Sequence, residues 1–329
     1  MTPGRLYALL TLLLSVGVIL SLSVGASGLP PASILGGLFG WGTAEEVLIM
    51  QELRVPRTAL AVLIGGGLAL TGAALQGFLR NPLAEPAIFG ISGAAALGAV
   101  LAFYTGLSAL FPLALPLAGL AGAGLASFFL LLLAGRQATT LGLVLSGVAI
   151  SAFAGALTSL ALNLMPSPFA VFEIVFWLLG SLADRSNEHL VLAAPFILFG
   201  AFLLLLLGPA LNALTLGEDT ASSMGIGLPL ARVLLVAGCA LVVGAATAVS
   251  GAIGFVGLVV PHLLRPLVGS LPSRLLPASF LGGATLLLFA DLATRVILPQ
   301  EGLKLGVVTA LIGTPFFLWL VLKLRREAV

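Results

Sequence analysis

Arg80-Asn81-Pro82-Leu83-Ala84-Glu85-Pro86 separates two long apolar segments of this chain, and Arg54-Val55-Pro56-Arg57 and Gln76-Gly77 precede it. Each proline lacks an amide donor and restricts the residue before it, so no continuous helix runs through the stretch. The chain turns here. A very apolar sequence thus places its few charges at defined points.

Hydrophobic residues make up 60% of the 329 residues, charged residues only 8%, and the mean hydropathy is +1.23. A soluble globule of this length cannot enclose that much apolar surface, so the chain belongs in a bilayer. Its 41 glycines and 19 prolines suit packed transmembrane helices, where small residues let backbones approach and neighbours satisfy broken backbone bonds. A transmembrane barrel is excluded by apolar runs of about twenty residues, such as Leu6 to Val24 and Leu190 to Leu207, because barrel strands alternate over about ten. The class is all-α and polytopic. A net charge of +2 with scattered basic residues points away from nucleic acid, and Cys239, inside an apolar run, reads as packing. The run that follows Arg5 and ends near Ala26-Ser27-Gly28 is too long for a signal peptide's apolar region of roughly 7 to 15 residues, so it reads as the first span.

Apolar windows between turn signals predict about ten transmembrane helices, at roughly 6–27, 57–79, 88–106, 112–134, 140–164, 190–208, 231–250, 252–269, 276–297 and 305–323. An even count puts both termini on one side. With the N-terminus in the cytoplasm, Arg5, Arg80, Arg136, Arg232, Arg265, Arg274, Lys323, Arg325 and Arg326 fall inside, nine of the fourteen basic residues. Arg54, Arg57, Arg185, Arg295 and Lys304 fall outside. The bias towards the inner side supports cytoplasmic termini. Residues 28–53 outside and 209–230 inside are long enough to be structured, within a single membrane domain spanning 1–329. In the second span Gly65, Ala69, Ala73 and Gly77 recur every four residues on one face, a pattern for close helix contact. Gln76, one step off that stripe, reads as a bond across helices or to backbone.

Arg54-x-Pro56-Arg57, Gln76-Gly77, the 80–86 stretch and Gly90-x-x-Gly93-Ala94 together resemble the permease family of ABC importers for iron-siderophores, haem and cobalamin. Trp177-x-x-Gly180-Ser181, Leu216-Gly217 with Ala221 and Gly225, Phe255-Val256-Gly257-Leu258 with Pro261-His262 and Arg265, Ala290-Asp291 with Arg295, and Gly313-x-Pro315-Phe316 follow in that family's order. The resemblance covers essentially the whole chain. It implies a ten-helix permease half in a bacterial inner membrane that pairs with a second permease copy, or with a close paralogue, two ATP-binding subunits and a periplasmic or lipid-anchored substrate-binding protein. The implied cargo is a metal chelate, ferric siderophore first, with haem and cobalamin as alternatives. No cofactor, catalytic residue or metal ligand is implied.

The resemblance makes 209–230 the ATPase-coupling segment, with Leu216, Gly217, Ala221, Ser222, Met224 and Gly225 as its contact residues. The residues suit docking: Thr215 and Glu218 match a capping box, the acids sit at a helix start, and Gly225 and Gly227 can end short helices. A solvated loop is the plain alternative. Arg54, Arg57 and Arg295, which break the inside bias, are implied to receive carboxylates of the binding protein, a task for which the planar guanidinium is suited. Local pairing is the alternative, since Asp291 and Arg295 stand four apart and Glu52 lies near Arg54. His262 and Arg265 read as structural hydrogen-bonding groups, and His189 as interfacial. Lys304 and Lys323 each follow a leucine, so the chain carries no P-loop and supplies no ATPase. An ion-coupled secondary transporter is the rival reading, and Asp291 is the acid it would need within a span.

Overall fold

The computed structural model describes residues 2–25, 31–111, 113–135, 140–297 and 302–327, and over these the chain is helical with no strands. Arg136 and residues 26–28 lie outside the described residues. The helices are α1 (Pro3–Ser23), α2 (Pro31–Phe39), α3 (Ala44–Leu48), α4 (Val55–Phe78), α5 (Ile91–Tyr104), α6 (Ala114–Ala134), α7 (Thr140–Asn163), α8 (Pro168–Leu178), α9 (Asn187–Leu205), α10 (Gly208–Leu214), α11 (Glu218–Ser223), α12 (Leu228–Ser250), α13 (Val256–Leu264), α14 (Pro272–Ile297) and α15 (Leu305–Glu327).

Eight described helices are long and apolar enough to cross a membrane: α1, the continuous Ala44–Phe78 stretch, α6, α7, α9, α12, α14 and α15. Shorter α5 and α13 occupy the other two predicted spans. Of residues 28–53, expected to be structured outside the bilayer, the described 31–53 form α2, α3 and most of a π-helical turn, Ile49–Arg54, that leads into α4. No element is predicted between 164 and 190, yet α8 forms there with Pro168 in its first turn. Its eleven residues rise only about 16 Å, half a bilayer core, and so escape a search for twenty-residue windows.

The eighth predicted span is partly unwound. The chain leaves α12 at Gly251 (φ 72°) and enters α13 at Phe255, whose φ of 67° is strained for a residue with a side chain. The opening stretch also turns as its prolines demand. Arg80 has φ 50°, the Asn81 side chain accepts from the Leu83 amide at 2.9 Å, and Pro86 starts a 3-10 turn ending on left-handed Gly90.

Two sets of bonds fix the direction of the helices. At one end Arg57, near the start of α4, meets Asp291 near the end of α14, while Arg295 bonds the Ser21 and Val24 carbonyls at the end of α1. At the other end Tyr7 donates to the Arg274 carbonyl, and Asn212 of α10 bonds Ser273 at the start of α14. α10 and α11 therefore lie at the same end of the bundle as the start of α1, the end predicted to be cytoplasmic.

α4 is the centre of the bundle, buried almost throughout and packed against α14, α13, α9 and α12. A Cβ added to Gly65 would collide with the Gly283 carbonyl and Leu287, and one added to Gly72 would collide with the backbone of Gly257. The predicted small-residue stripe thus serves two neighbours: Gly65 and Ala69 meet α14, and Gly77 packs on Leu211 of α10. Overfilling a packed site costs about 1–3 kcal/mol. Gly65→Leu or Gly283→Leu should lower the melting temperature of the detergent-purified protein, whereas Gly124→Leu, where a Cβ meets nothing within 4 Å, should melt like the parent. Equal melting of all three would remove the α4–α14 contact from the core of the fold.

Candidate functional site

The outer end of the bundle holds a cavity of about 520 Å³ lined by Arg54, Arg57, Arg185, Arg295, Lys304 and Asp184, among others. Arg54 is only 5% exposed and donates to the Leu22 and Ser23 carbonyls at 2.6 and 3.1 Å. Asp291, fully buried, sits between two arginines. Arg57 reaches it through Nε at 3.1 Å and Nη2 at 2.8 Å, and Arg295 through Nε at 3.0 Å and Nη2. The three arginines predicted together are thus brought together, with the local pairing of Asp291 and Arg295 also formed. Arg57 remains the most open of the pair, its side chain 23% exposed against 9% for Arg295. Two cavity cations were not singled out from sequence. Lys304 Nζ lies 5.7 Å from the centre of the Phe176 ring, and burial lowers the Arg185 guanidinium from its ordinary value while Asp184 opposes the shift.

The middle of the molecule is held by a polar staple. The Glu85 carboxylate accepts the Phe255 amide at 2.7 Å, which fixes the strained start of α13. Burial raises the Glu85 carboxyl above its ordinary range, and this hydrogen bond offsets part of the shift. Gln76 donates to the Gly257 carbonyl at 3.2 Å and accepts from Arg265 Nη2 at 2.8 Å. Gln76 therefore bonds across helices, as its place beside the small-residue stripe suggests. His262 differs from expectation: its ring meets the edge of Phe316 and its buried Nδ1 has no hydrogen-bond partner. His189 bonds the Ser186 hydroxyl at the start of α9.

At the inner end, α10 and α11 form a two-helix segment. Leu216 and Met224 are 64% and 61% exposed, and Ser222 and Gly225 are exposed with them. Ala221, by contrast, is fully buried in this chain and offers no surface. The predicted capping box does not form. Thr215 bonds the Asn212 carbonyl at the end of α10, Gly217 (φ 104°) caps α11, and Glu218 accepts instead from Thr140 Oγ1 at 2.9 Å. A spacing of three residues can match a capping box, but here two short helices meet and the turn between them takes the hydroxyl. Glu218 and Asp219 do occupy the first turn of α11, and Gly225 (φ 85°) does end it. Tethered to α7 through Thr140 and to α14 through Asn212, the segment presents two apolar side chains on a firmly held base.

The sequence that builds this bundle matches the model of the FecCD transport family over residues 13–323. The chain belongs to the FecCD transport family. It is 41% identical to the vitamin B12 import system permease protein BtuC of Vibrio cholerae serotype O1, over 96% of this chain and 93% of that protein. It is 36% identical to the Fe(3+)-citrate import system permease protein YfmD of Bacillus subtilis strain 168, over 94% and 92% respectively. A solved structure described as an inward-facing conformation of a metal-chelate type ABC transporter superposes with a TM-score of 0.85 at 34% identity, covering 98% of this chain and 99% of that one.

Three variants test the polar anchors of this FecCD-family permease. Removing one partner of a buried ion pair costs about 3–5 kcal/mol, because the remaining charge is left without compensation. Asp291→Asn leaves two arginines facing one neutral group, so a large fall in thermal stability in detergent is expected. A melting temperature unchanged from the parent would show that the triad is solvated. At the staple, Glu85→Gln keeps an acceptor for the Phe255 amide and should keep near-parental stability, whereas Glu85→Ala strands that amide at a cost of about 1–3 kcal/mol. Equal melting of the two variants would remove the hydrogen bond from the account.

Proposed function

We propose that this chain is the membrane half of an importer that passes a metal chelate from the outer face into the cytoplasm, driven by ATP binding and hydrolysis on two separate subunits. The observation that carries this reading is the α10–α11 segment, which exposes Leu216 and Met224 at the inner end while bonding to α7 and α14. A partner that grips those side chains gains leverage on both helices. Leu216, Gly217, Ser222, Met224 and Gly225 form the gripped surface, and Ala221 supports it from within.

A second copy completes the pathway. α8 is too short to cross the bilayer and bares Phe169, Phe172 and Phe176, which suits a wall shared between two copies. A substrate-binding protein docks over the outer cavity, with Arg57 the most open contact and Arg54 and Arg295 more deeply buried behind it. Five cations line that cavity with Asp184, and Asp291 is bonded beneath, so the mouth attracts anions. This charge supports an anionic ferric chelate as cargo ahead of cobalamin or haem. Asp291, which an ion-coupled mechanism would need free, is already held by two arginines.

Reconstitution in proteoliposomes with an ATPase and a binding protein should give ATP-dependent uptake of ferric chelate. Uptake insensitive to ATP depletion but abolished by an uncoupler would overturn the reading. Leu216→Glu with Met224→Glu alters two exposed side chains and so should leave folding intact while weakening ATPase association about tenfold. Thr140→Val should keep that association and lower uptake per ATP hydrolysed.

Docking is read separately by the affinity of the binding protein for Arg57→Gln. Affinity should fall while ATPase association holds, with melting followed alongside. Unchanged affinity would leave Arg57 a purely internal partner of Asp291.

A further inference from the structure

A second groove lies far from the outer cavity, where the end of α6 meets the start of α12. It encloses about 520 Å³ and is lined by Leu131, Leu132, Pro229, Leu230, Arg232 and Val233. Leu132, Leu230 and Val233 are exposed apolar side chains on the outside of the bundle. Arg232 stands among them, and its Nε is buried without a hydrogen-bond partner. α12 begins five residues after α11 ends, so the groove lies at the end of the bundle predicted to be cytoplasmic. A larger cavity of about 790 Å³ between α5, α6 and α7 is lined by apolar residues and Thr105, with no charge. Only the α6–α12 groove of these two combines an apolar wall with a cation.

We propose that this groove binds an anionic phospholipid of the inner leaflet, with its phosphate on Arg232 and an acyl chain along Leu131, Leu132, Leu230 and Val233. The charges are complementary: a guanidinium offers a phosphate parallel donors, and basic pockets between helices on the cytoplasmic side suit anionic headgroups. Free phosphate would meet the guanidinium but leave the leucines without a partner. A second copy of this apolar face would cover the leucines and leave Arg232 without an anion. The lipid satisfies both parts. Because α12 follows directly on α11, the bound lipid also steadies the base of the inner segment. The inference stands apart from the transport reading, since lipid binding is measured without ATPase, binding protein or cargo.

The test is native mass spectrometry of the detergent-purified chain titrated with phosphatidylglycerol or phosphatidylcholine. Phosphatidylglycerol should be retained in preference, Arg232→Gln should weaken that retention about fivefold, and Arg232→Lys should keep most of it. Leu132→Gln should weaken both lipids without changing the charge. Melting in phosphatidylcholine shows whether each variant folds. If Arg232→Gln is unstable there, Arg232→Lys and Leu132→Gln decide the matter. Equal retention of the two lipids by the parent, full retention by a folded Arg232→Gln, or displacement of the lipid by inorganic phosphate would each overturn the proposal. A Leu132→Cys disulfide between copies would give the face to a second chain and overturn it too.

Discussion

Lipid tails are as apolar as leucine, so helices in a bilayer gain little by hiding apolar side chains from their surroundings. Contact distance and polar pairing must hold them. This constraint explains why α4 is rich in glycine and alanine and why the glycines face other backbones. Gly65 against Gly283 and Gly72 against Gly257 bring α14 and α13 close enough that even a methyl group would not fit. Dispersion over that contact replaces the hydrophobic drive a soluble core would have. The Asp291 triad then ties α1, α4 and α14 together at their outer ends.

Breaking a helix within a membrane exposes backbone groups that have no water to bond, and around α13 two such groups are answered by named side chains. Glu85 takes the amide of Phe255 at the strained start of α13, and Gln76 bonds the carbonyl of Gly257 while receiving Arg265. These bonds make α4, the 80–86 turn and α13 one stiff unit. The inner segment is tied to other helices, α7 through Thr140 and α14 through Asn212.

Much of this was legible in the residues. Hydropathy placed the long helices and loop charge pointed to a cytoplasmic side for the termini, because about twenty apolar residues and a few cations are properties a chain shows without folding. Pro82 and Pro86 located the turn. Gln76 was read as a bond across helices from its position beside a small-residue face. α8 was missed because half-length helices have no hydropathy signature of their own, and the Thr215–Glu218 capping box was read from a spacing that α10 and α11 do not use. Loop charge marks five outer cations alike and the family resemblance picks out three of them, yet nothing in their spacing shows that Arg57 and Arg295 share one carboxylate.

By itself, then, the sequence determined the solvent this protein lives in, the class of fold, the order of the spans, where charge is tolerated and which family it joins. Those properties are local or compositional. Only the tertiary structure decided which groups meet: Asp291 with an arginine 234 residues away, and Glu85 with an amide 170 residues away. It alone turned Ala221 inward while leaving Leu216 and Met224 open. The physical reason is that a buried charge or a strained amide is stable only beside a partner of matching geometry, and packing, not chain order, brings such partners together.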